Sequence, residues 1–261
     1  MEVGYQPSYA QEQARARRWA ATVGTCVLAS GACTITTSSL TAGDHALVAR
    51  YAGDANRAPS TADPNTVTVT RAATTVTVTT TPTSSTAGDT VTITGTVSTV
   101  GSGTAGTIEL FDGSTSLGVC SITTGTSCSI ATAALLPGSH PLSAAYSGDA
   151  NRQASVSATT TLVVNKLASS TSLLSNLASI AYGSPVTLTA TVSPSSVTGT
   201  VAFSDGTTGL GSCTLVAATC QLVVPALNAG VRSITAIYSG DENRAPSTAP
   251  AIAVAVSASA S

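Results

Sequence analysis

Apolar and polar residues alternate with period two along most of the chain. Val91, Ile93, Gly95 and Val97 are separated by threonines, as are Val186, Leu188, Ala190 and Val192. Three further stretches behave alike: Leu47, Ala49, Tyr51; Leu142, Ala144, Tyr146; and Ile234, Ala236, Tyr238. This period puts one strand face against a core and the other in water, as in a half-buried antiparallel sheet. Threonine suits the wet face because its branched Cβ fits a pleated surface. No stretch after residue 25 carries a 3.6-residue period, so the pattern predicts an all-β protein.

The alternating stretches recur in order. Each of the last three runs into one phrase: YAGDANRAPS from Tyr51, YSGDANRQAS from Tyr146 and YSGDENRAPS from Tyr238. Gly53, Gly148 and Gly240 are spaced by 95 and 92 residues. Leu40, Leu135 and Leu227 each stand three residues before a glycine, and GTIELFDG from Gly106 matches GTVAFSDG from Gly199. A repeat of this length replaces the one or two domains that chain length alone suggests. The boundaries read as an unrelated segment 1–19, a truncated repeat 20–71, and complete repeats 72–165 and 166–261. The linkers Arg71-Ala72-Ala73 and Asn165-Lys166-Leu167-Ala168 are short and lack a Gly/Ser run, which limits swinging between repeats.

Six cysteines form one close pair per repeat: Cys26 and Cys33, Cys120 and Cys128, Cys213 and Cys220. Cys120 shares side-chain parity with Ile122, and Cys128 with Ile130, so disulfides on an apolar face are expected. The expected geometry is a hairpin ladder, with Ser121 opposite Ser127, Ile122 opposite Thr126 and Gly125 in the left-handed position of a three-residue loop. The other two pairs enclose one residue fewer and fit a two-residue or open four-residue loop. No Cys-x-x-Cys spacing supports zinc. Paired cysteines in each repeat imply an oxidising compartment, hence an extracellular or cell-surface protein.

Composition narrows the function classes. Ten basic against twelve acidic residues give no basic footprint for nucleic acid. No apolar run is long enough to insert in a membrane as a helix. Thr and Ser number 45 and 36, while His numbers two and Lys one. Little material remains for acid–base chemistry, and no cofactor is expected.

The N-terminus departs from the pattern. Aligning Cys26 with Cys120 makes the resemblance begin near Ala20, so the first three strands of the second repeat have no counterpart in the first. The leading residues are rich in Gln, Arg and Ala, show no signal-peptide core, and hold the single Trp. Two readings fit: a genuine segment, helical or disordered, or a reading frame cut or shifted within a longer array. A half-sandwich would expose a sheet face and edge and be the least stable part.

The motif series G-T-V-x-F-x-D-G, L-G, the Cys pair, L-x-x-G-x-H-x-L-x-A-x-Y and Y-S-G-D-x-N resembles the bacterial Ig-like repeat family over about residues 20–256. The resemblance implies tandem immunoglobulin-like β-sandwiches, two complete and one N-terminally truncated, of the kind found in large bacterial surface and secreted proteins. The ~100-residue size of such a sandwich agrees with the repeat. It implies a non-catalytic structural or spacer array that supports adhesion, with neighbouring Ig-like repeats as partners. Alternatives are direct binding of an extracellular glycan or protein through variable loops such as Val100–Gly106, or the spacer of an exported hydrolase.

The remaining candidates are local. Asp54, Asp149 and Asp241, with Asn56, Asn151 and Asn243, fit Asx turns. A calcium site at each module end is the competing reading, although only two oxygen donors recur where six or more are needed. Tyr51, Tyr146 and Tyr238 are expected to face the core. Arg57, Arg152 and Arg244 are expected to be solvated. His45 and His140 align with Arg232, and Asp112 and Asp205 precede turn glycines, so no catalytic group is assigned. A catalytic centre is needed once, whereas these residues recur at module spacing.

Overall fold

A computed structural model describes residues 2–6, 21–98, 105–123 and 125–258. It forms two compact units, Met1–Thr79 with Thr94–Ile130 and Leu142–Thr160, and Thr80–Ile93 with Ala131–Pro141 and Thr161–Ser261. No helix is found among the described residues, and so none long and apolar enough to cross a membrane.

The third repeat lies within the second unit and shows how the alternation builds a sandwich. Strands Ser170–Ser175, Val186–Ser193 and Thr219–Val224 form one antiparallel sheet. The other sheet runs Ser179–Ala181, Ile252–Ser257, Gly230–Tyr238, Thr200–Asp205 and Thr208–Thr214, with Ser247–Thr248 also on Gly230–Tyr238. The inward residues of both meet in one core that includes Leu173, Leu188, Phe203, Ile234, Tyr238 and Val254. Thr187, Thr189 and Thr191 alternate with the buried Val186, Leu188 and Ala190. Antiparallel sheets with one wet face produce this pattern. The second repeat has the same two sheets, one of Ser127–Thr132, Val91–Ser98 and Thr75–Thr81, the other built on Gly106–Asp112 and Gly138–Tyr146.

The first repeat, in the first unit, has one sheet among its described residues. Its order is Ala21–Thr25, Glu2–Gln6, Gly43–Tyr51 and Ser60–Thr61, with Asn65–Val69 also on Gly43–Tyr51. Residues 2–6 thus form a strand, with Val3 opposite Ala49 and Gly24. The expectation of a helical or disordered leading segment fails for these five residues; residues 7–19 lie outside the described set. Glu2–Gln6 sits between its neighbours as Thr200–Asp205 sits between Thr208–Thr214 and Gly230–Tyr238. One of the strand positions expected to be empty is therefore filled. An extended segment gains ladder hydrogen bonds there, and backbone pairing tolerates a sequence unlike the other repeats.

The structure joins each cysteine pair, with Cα–Cα separations of 5.9, 6.1 and 5.9 Å. These lie in the ordinary disulfide range. The hairpin ladder is not what holds them. Ser121 pairs with Thr107 and Ile122 with Gly106 in one sheet, while Ser127–Thr132 belongs to the other. Likewise Cys213 lies opposite Val201 and Cys220 opposite Ala190. Each of these two bridges staples one sheet of its sandwich to the other where the chain splays from a turn. The turns in the first and third repeats are two-residue ones: Ala29–Ala32 and Val216–Thr219 each exchange two backbone hydrogen bonds. Their central residues have positive φ, Ser30 and Gly31 in one, Ala217 and Ala218 in the other. That is the type I′ conformation. Closing so short a loop contributes about 2.5 kcal/mol in the chain-entropy account.

A glycine two residues before the first cysteine makes room for a bulky side chain from beyond the turn, which in the two complete repeats lies on the facing sheet. A Cβ on Gly118 would stand 2.8 Å from Ile130 Cδ1, and one on Gly24 3.0 Å from Ile35 Cγ2. Gly211 faces Leu222 in the same way at 3.3 Å.

Candidate functional site

The recurrent Tyr-x-Gly-Asp-x-Asn-Arg phrase forms a tight loop at the end of the strands Gly43–Tyr51, Gly138–Tyr146 and Gly230–Tyr238. Backbone hydrogen bonds close it between Asp54 and Arg57, Asp149 and Arg152, and Asp241 and Arg244. The glycine is required by space as well as by φ. A Cβ on Gly53, Gly148 or Gly240 would meet the carbonyl oxygen of Arg57, Arg152 or Arg244 at 2.8, 2.9 or 2.8 Å.

The aspartate staples this loop internally. Asp54, Asp149 and Asp241 Oδ1 accept the amides of Asn56, Asn151 and Asn243 at 2.8, 2.8 and 2.9 Å. Oδ2 of Asp149 accepts the Ala105 amide at 3.2 Å, and Oδ2 of Asp241 the Thr198 amide at 3.0 Å. Tyr146 and Tyr238 complete the link by donating to the carbonyls of Ala105 and Thr198 at 2.5 and 2.6 Å. In the first repeat Tyr51 donates instead to Asp54 Oδ2 at 2.5 Å.

These bonds set the ionisation. The Thr198 amide holds the Asp241 carboxyl down at about 2 against the cost of burial, aided by the Asn243 and Arg244 amides and the Tyr238 hydroxyl. Burial works to raise Asp149, but the Asn151 and Ala105 amides and the Arg152 guanidinium outweigh it and bring it to about 2. Asp54 is also lowered, by the Tyr51 hydroxyl first and the Asn56 amide next. Burial, with the neighbouring Asp241, pushes Tyr238 up to about 12. Hydrogen bonds to an anionic carboxylate favour its charged form.

Arg152 departs from expectation. Its side chain is 6% exposed and pairs with Asp149 Oδ2 at 2.9 Å, whereas Arg57 is 75% exposed and lies 3.4 Å from Asp54. Only Arg57 of these two matches the solvated reading. Tyr146 and Tyr238 are buried, at 2% and 0% exposure, and Tyr51 is half-buried.

The loop also holds the linker that enters its own repeat. Ala72 donates to the Asn151 carbonyl at 2.9 Å and accepts from the Gln153 amide at 2.9 Å. Leu167 does the same with the Asn243 carbonyl, at 3.0 Å, and the Ala245 amide, at 2.9 Å. Two residues on, Thr74 Oγ1 donates to the Gln153 carbonyl at 2.9 Å, and Ser169 Oγ to the Ala245 carbonyl at 2.7 Å. The linkers are thus pinned as well as short. Asn151 additionally accepts the Ala42 amide through Oδ1 at 2.8 Å. Alternation identifies core faces but carries no signal for this main-chain pairing, which the sequence reading missed.

Other candidates have structural partners. His45 and His140 Nε2 meet the carbonyls of Thr41 and Leu136 at 2.6 and 2.7 Å. Arg232 pairs with Asp205 at 2.5 Å. Asp112 closes the turn between Gly106–Asp112 and Thr115–Ile122. Among the described residues no group of three or more His, Cys, Asp or Glu side chains could hold a metal. A shallow depression of about 510 Å³ between Ile180, Val231 and Val256 is lined without a titratable side chain. Of the loop Val100–Gly106, residues 100–104 lie outside the described set.

Repeated sandwiches, a repeated turn phrase and an inter-sheet disulfide define a tandem immunoglobulin-like module protein. The chain matches the bacterial Ig-like domain (group 3) family over residues 15–70, 78–165 and 173–257, and it belongs to that family. No curated protein matches it. Among solved structures it is similar to the fibronectin(III)-like modules of Clostridium thermocellum CbhA, at 19% identity over 70% of this chain and 95% of that one, TM-score 0.34. It is also similar to the human OSCAR ligand-binding domain, at 14% identity over 69% and 94%, TM-score 0.29. A third is one chain of the complex of a mouse coronavirus receptor-binding domain with its murine receptor, at 12% identity over 69% and 99%, TM-score 0.36.

Proposed function

We propose that this chain is a non-catalytic spacer array of an exported bacterial surface or secreted protein, holding a distal adhesive part away from the cell. The supporting observation is that the recurrent polar groups are spent on the fold. Asp149 and Asp241 are satisfied by amides and hydroxyls, and Ala72 and Leu167 are gripped by the loops of the modules they enter. Gripping Ala72 and Leu167 leaves fewer free residues between successive modules, and a shorter free linker has less reach. Disulfides agree with an oxidising location.

The test is exposure of the purified chain to a glycan array and to cells. A spacer shows no saturable retention on either. Saturable retention overturns it in favour of direct adhesion through the loops, and a hydrolase domain continuous with the chain in its gene places the spacer in an exoenzyme.

A further inference from the structure

The first repeat has the linker-holding loop ready-made, with no linker in it among the described residues. Asp54 and Arg57 exchange backbone bonds at 2.9 and 3.3 Å, matching 3.2 Å for the Asp149 amide to the Arg152 carbonyl and 3.1 Å for the corresponding Asp241 to Arg244 bond. Asn56 and Ala58 occupy the positions of Asn151 and Gln153, and of Asn243 and Ala245. The Asn56 carbonyl and Ala58 amide therefore correspond to the acceptor and donor that grip Ala72 and Leu167. Ser60 is exposed where its counterparts Ser155 and Ser247 are half-buried beneath their linkers, and Ala58 is exposed where Ala245 is half-buried, although Gln153 stays exposed in its filled loop.

The two filled loops specify the occupant. In both, an extended segment runs parallel to the loop, in the pairings Ala72 with Arg152 and Leu167 with Arg244. An apolar residue makes both main-chain bonds. A hydroxyl residue two positions on then bonds a loop carbonyl and the next serine: Thr74 reaches Ser155 at 2.8 Å, and Ser169 reaches Ser247 at 2.8 Å. Ser60 stands in that serine's position in the first repeat. From there the segment continues into Thr75–Thr81 or Ser170–Ser175, the first strand of the three-stranded sheet in each complete repeat. The first repeat has no such sheet among its described residues.

We infer that the Asn56–Ser60 edge is a docking site for the linker and first strand of an Ig-like module of this family, taken in parallel to Arg57 with an apolar residue two positions before a Ser or Thr. Main-chain bonds supply the affinity and the hydroxyl sets the register, which is strand addition to an open edge. The inference rests on the module-array reading.

The test uses the full chain and a fluorescent peptide with the sequence of residues 70–80, followed by anisotropy. Saturable binding is expected, absent for a scrambled peptide. N-methylation at the alanine matching Ala72 removes the N–H that meets the Asn56 carbonyl, and binding falls about tenfold. Asp54→Ala, which unstaples the first loop, abolishes binding. Absence of saturation, equal binding of the N-methylated peptide, or binding that survives Asp54→Ala overturns the inference. The N-methylated peptide tests the bond on unaltered protein, so the result stands even where Asp54→Ala unfolds the first repeat. A failed peptide leaves the spacer reading intact, since glycan and cell retention test that separately.

Discussion

The Tyr238 hydroxyl donates to the Thr198 carbonyl at 2.6 Å, tying the end of one strand to the loop entering another 40 residues earlier. Tyr238 has no exposed surface, so water does not replace this bond when it is removed. Tyr238→Phe is expected to destabilise the third repeat by about 1 kcal/mol. Tyr51→Phe costs less, because Tyr51 bonds its own exposed Asp54. Urea unfolding of the two variants measures the difference, and equal losses would remove the distinction.

Acid should unfold the repeats through the same loops. Asp149 and Asp241 have folded values of about 2, below the usual carboxylate value. A depressed folded value means that the unfolded chain binds protons first as pH falls. The stability these groups contribute is therefore whole above about pH 4 and is lost between about pH 4 and pH 2. Thermal melts across this window should show that loss, and Asp241→Asn should flatten it for the third repeat. An unchanged slope in Asp241→Asn would refute the assignment.

Arg152 and Arg57 occupy one position of the phrase in different surroundings. Removing Arg152 takes one charge-assisted bond from the shielded Asp149, which the Asn151 and Ala105 amides still hold, a loss of about 1–3 kcal/mol. Removing Arg57 takes away an exposed, solvent-screened pair and costs far less. Denaturant midpoints of Arg152→Ala and Arg57→Ala should differ accordingly.

Much of this architecture is legible in the sequence because the alternation reports which face is dry. Leu142, Ala144 and Tyr146 are buried as their parity requires. The chain's path between sheets is less legible. Ser121 and Ser127 have hairpin spacing, yet nothing local tells whether two strands pair or diverge into facing sheets. Gly118 and Ile130 hold the signal, since a missing Cβ opposite a large side chain marks close sheet approach. Burial of Arg152 was equally hidden, because the same phrase leaves Arg57 in water.

That close approach yields a prediction. Gly118 has φ of +145° and no room for a methyl group beside Ile130. Gly118→Ala should cost about 1–3 kcal/mol through strain and overpacking. Pairing it with Ile130→Ala should recover the steric part while retaining the backbone part. A double-mutant cycle in urea measures the coupling, and purely additive losses would show that the contact is not responsible.

The first repeat should open before the others. On Gly43–Tyr51 the expected core residues Leu47, Ala49 and Tyr51 are only half-buried and Val48, of the opposite parity, is buried instead, whereas Ile234, Ala236 and Tyr238 are fully buried in the third repeat by a second sheet. Burial of apolar area stabilises by about 25 cal/mol per Å², so a sheet that covers less is held less firmly. Segments of low local stability are cleaved first. Limited proteolysis of the oxidised chain followed by mass spectrometry should place the earliest cuts within residues 26–71, outside the loop closed by Cys26 and Cys33. The Cys120–Cys128 and Cys213–Cys220 regions should survive longer. Initial cleavage inside residues 80–164 would show that the single sheet is as well supported as a complete sandwich.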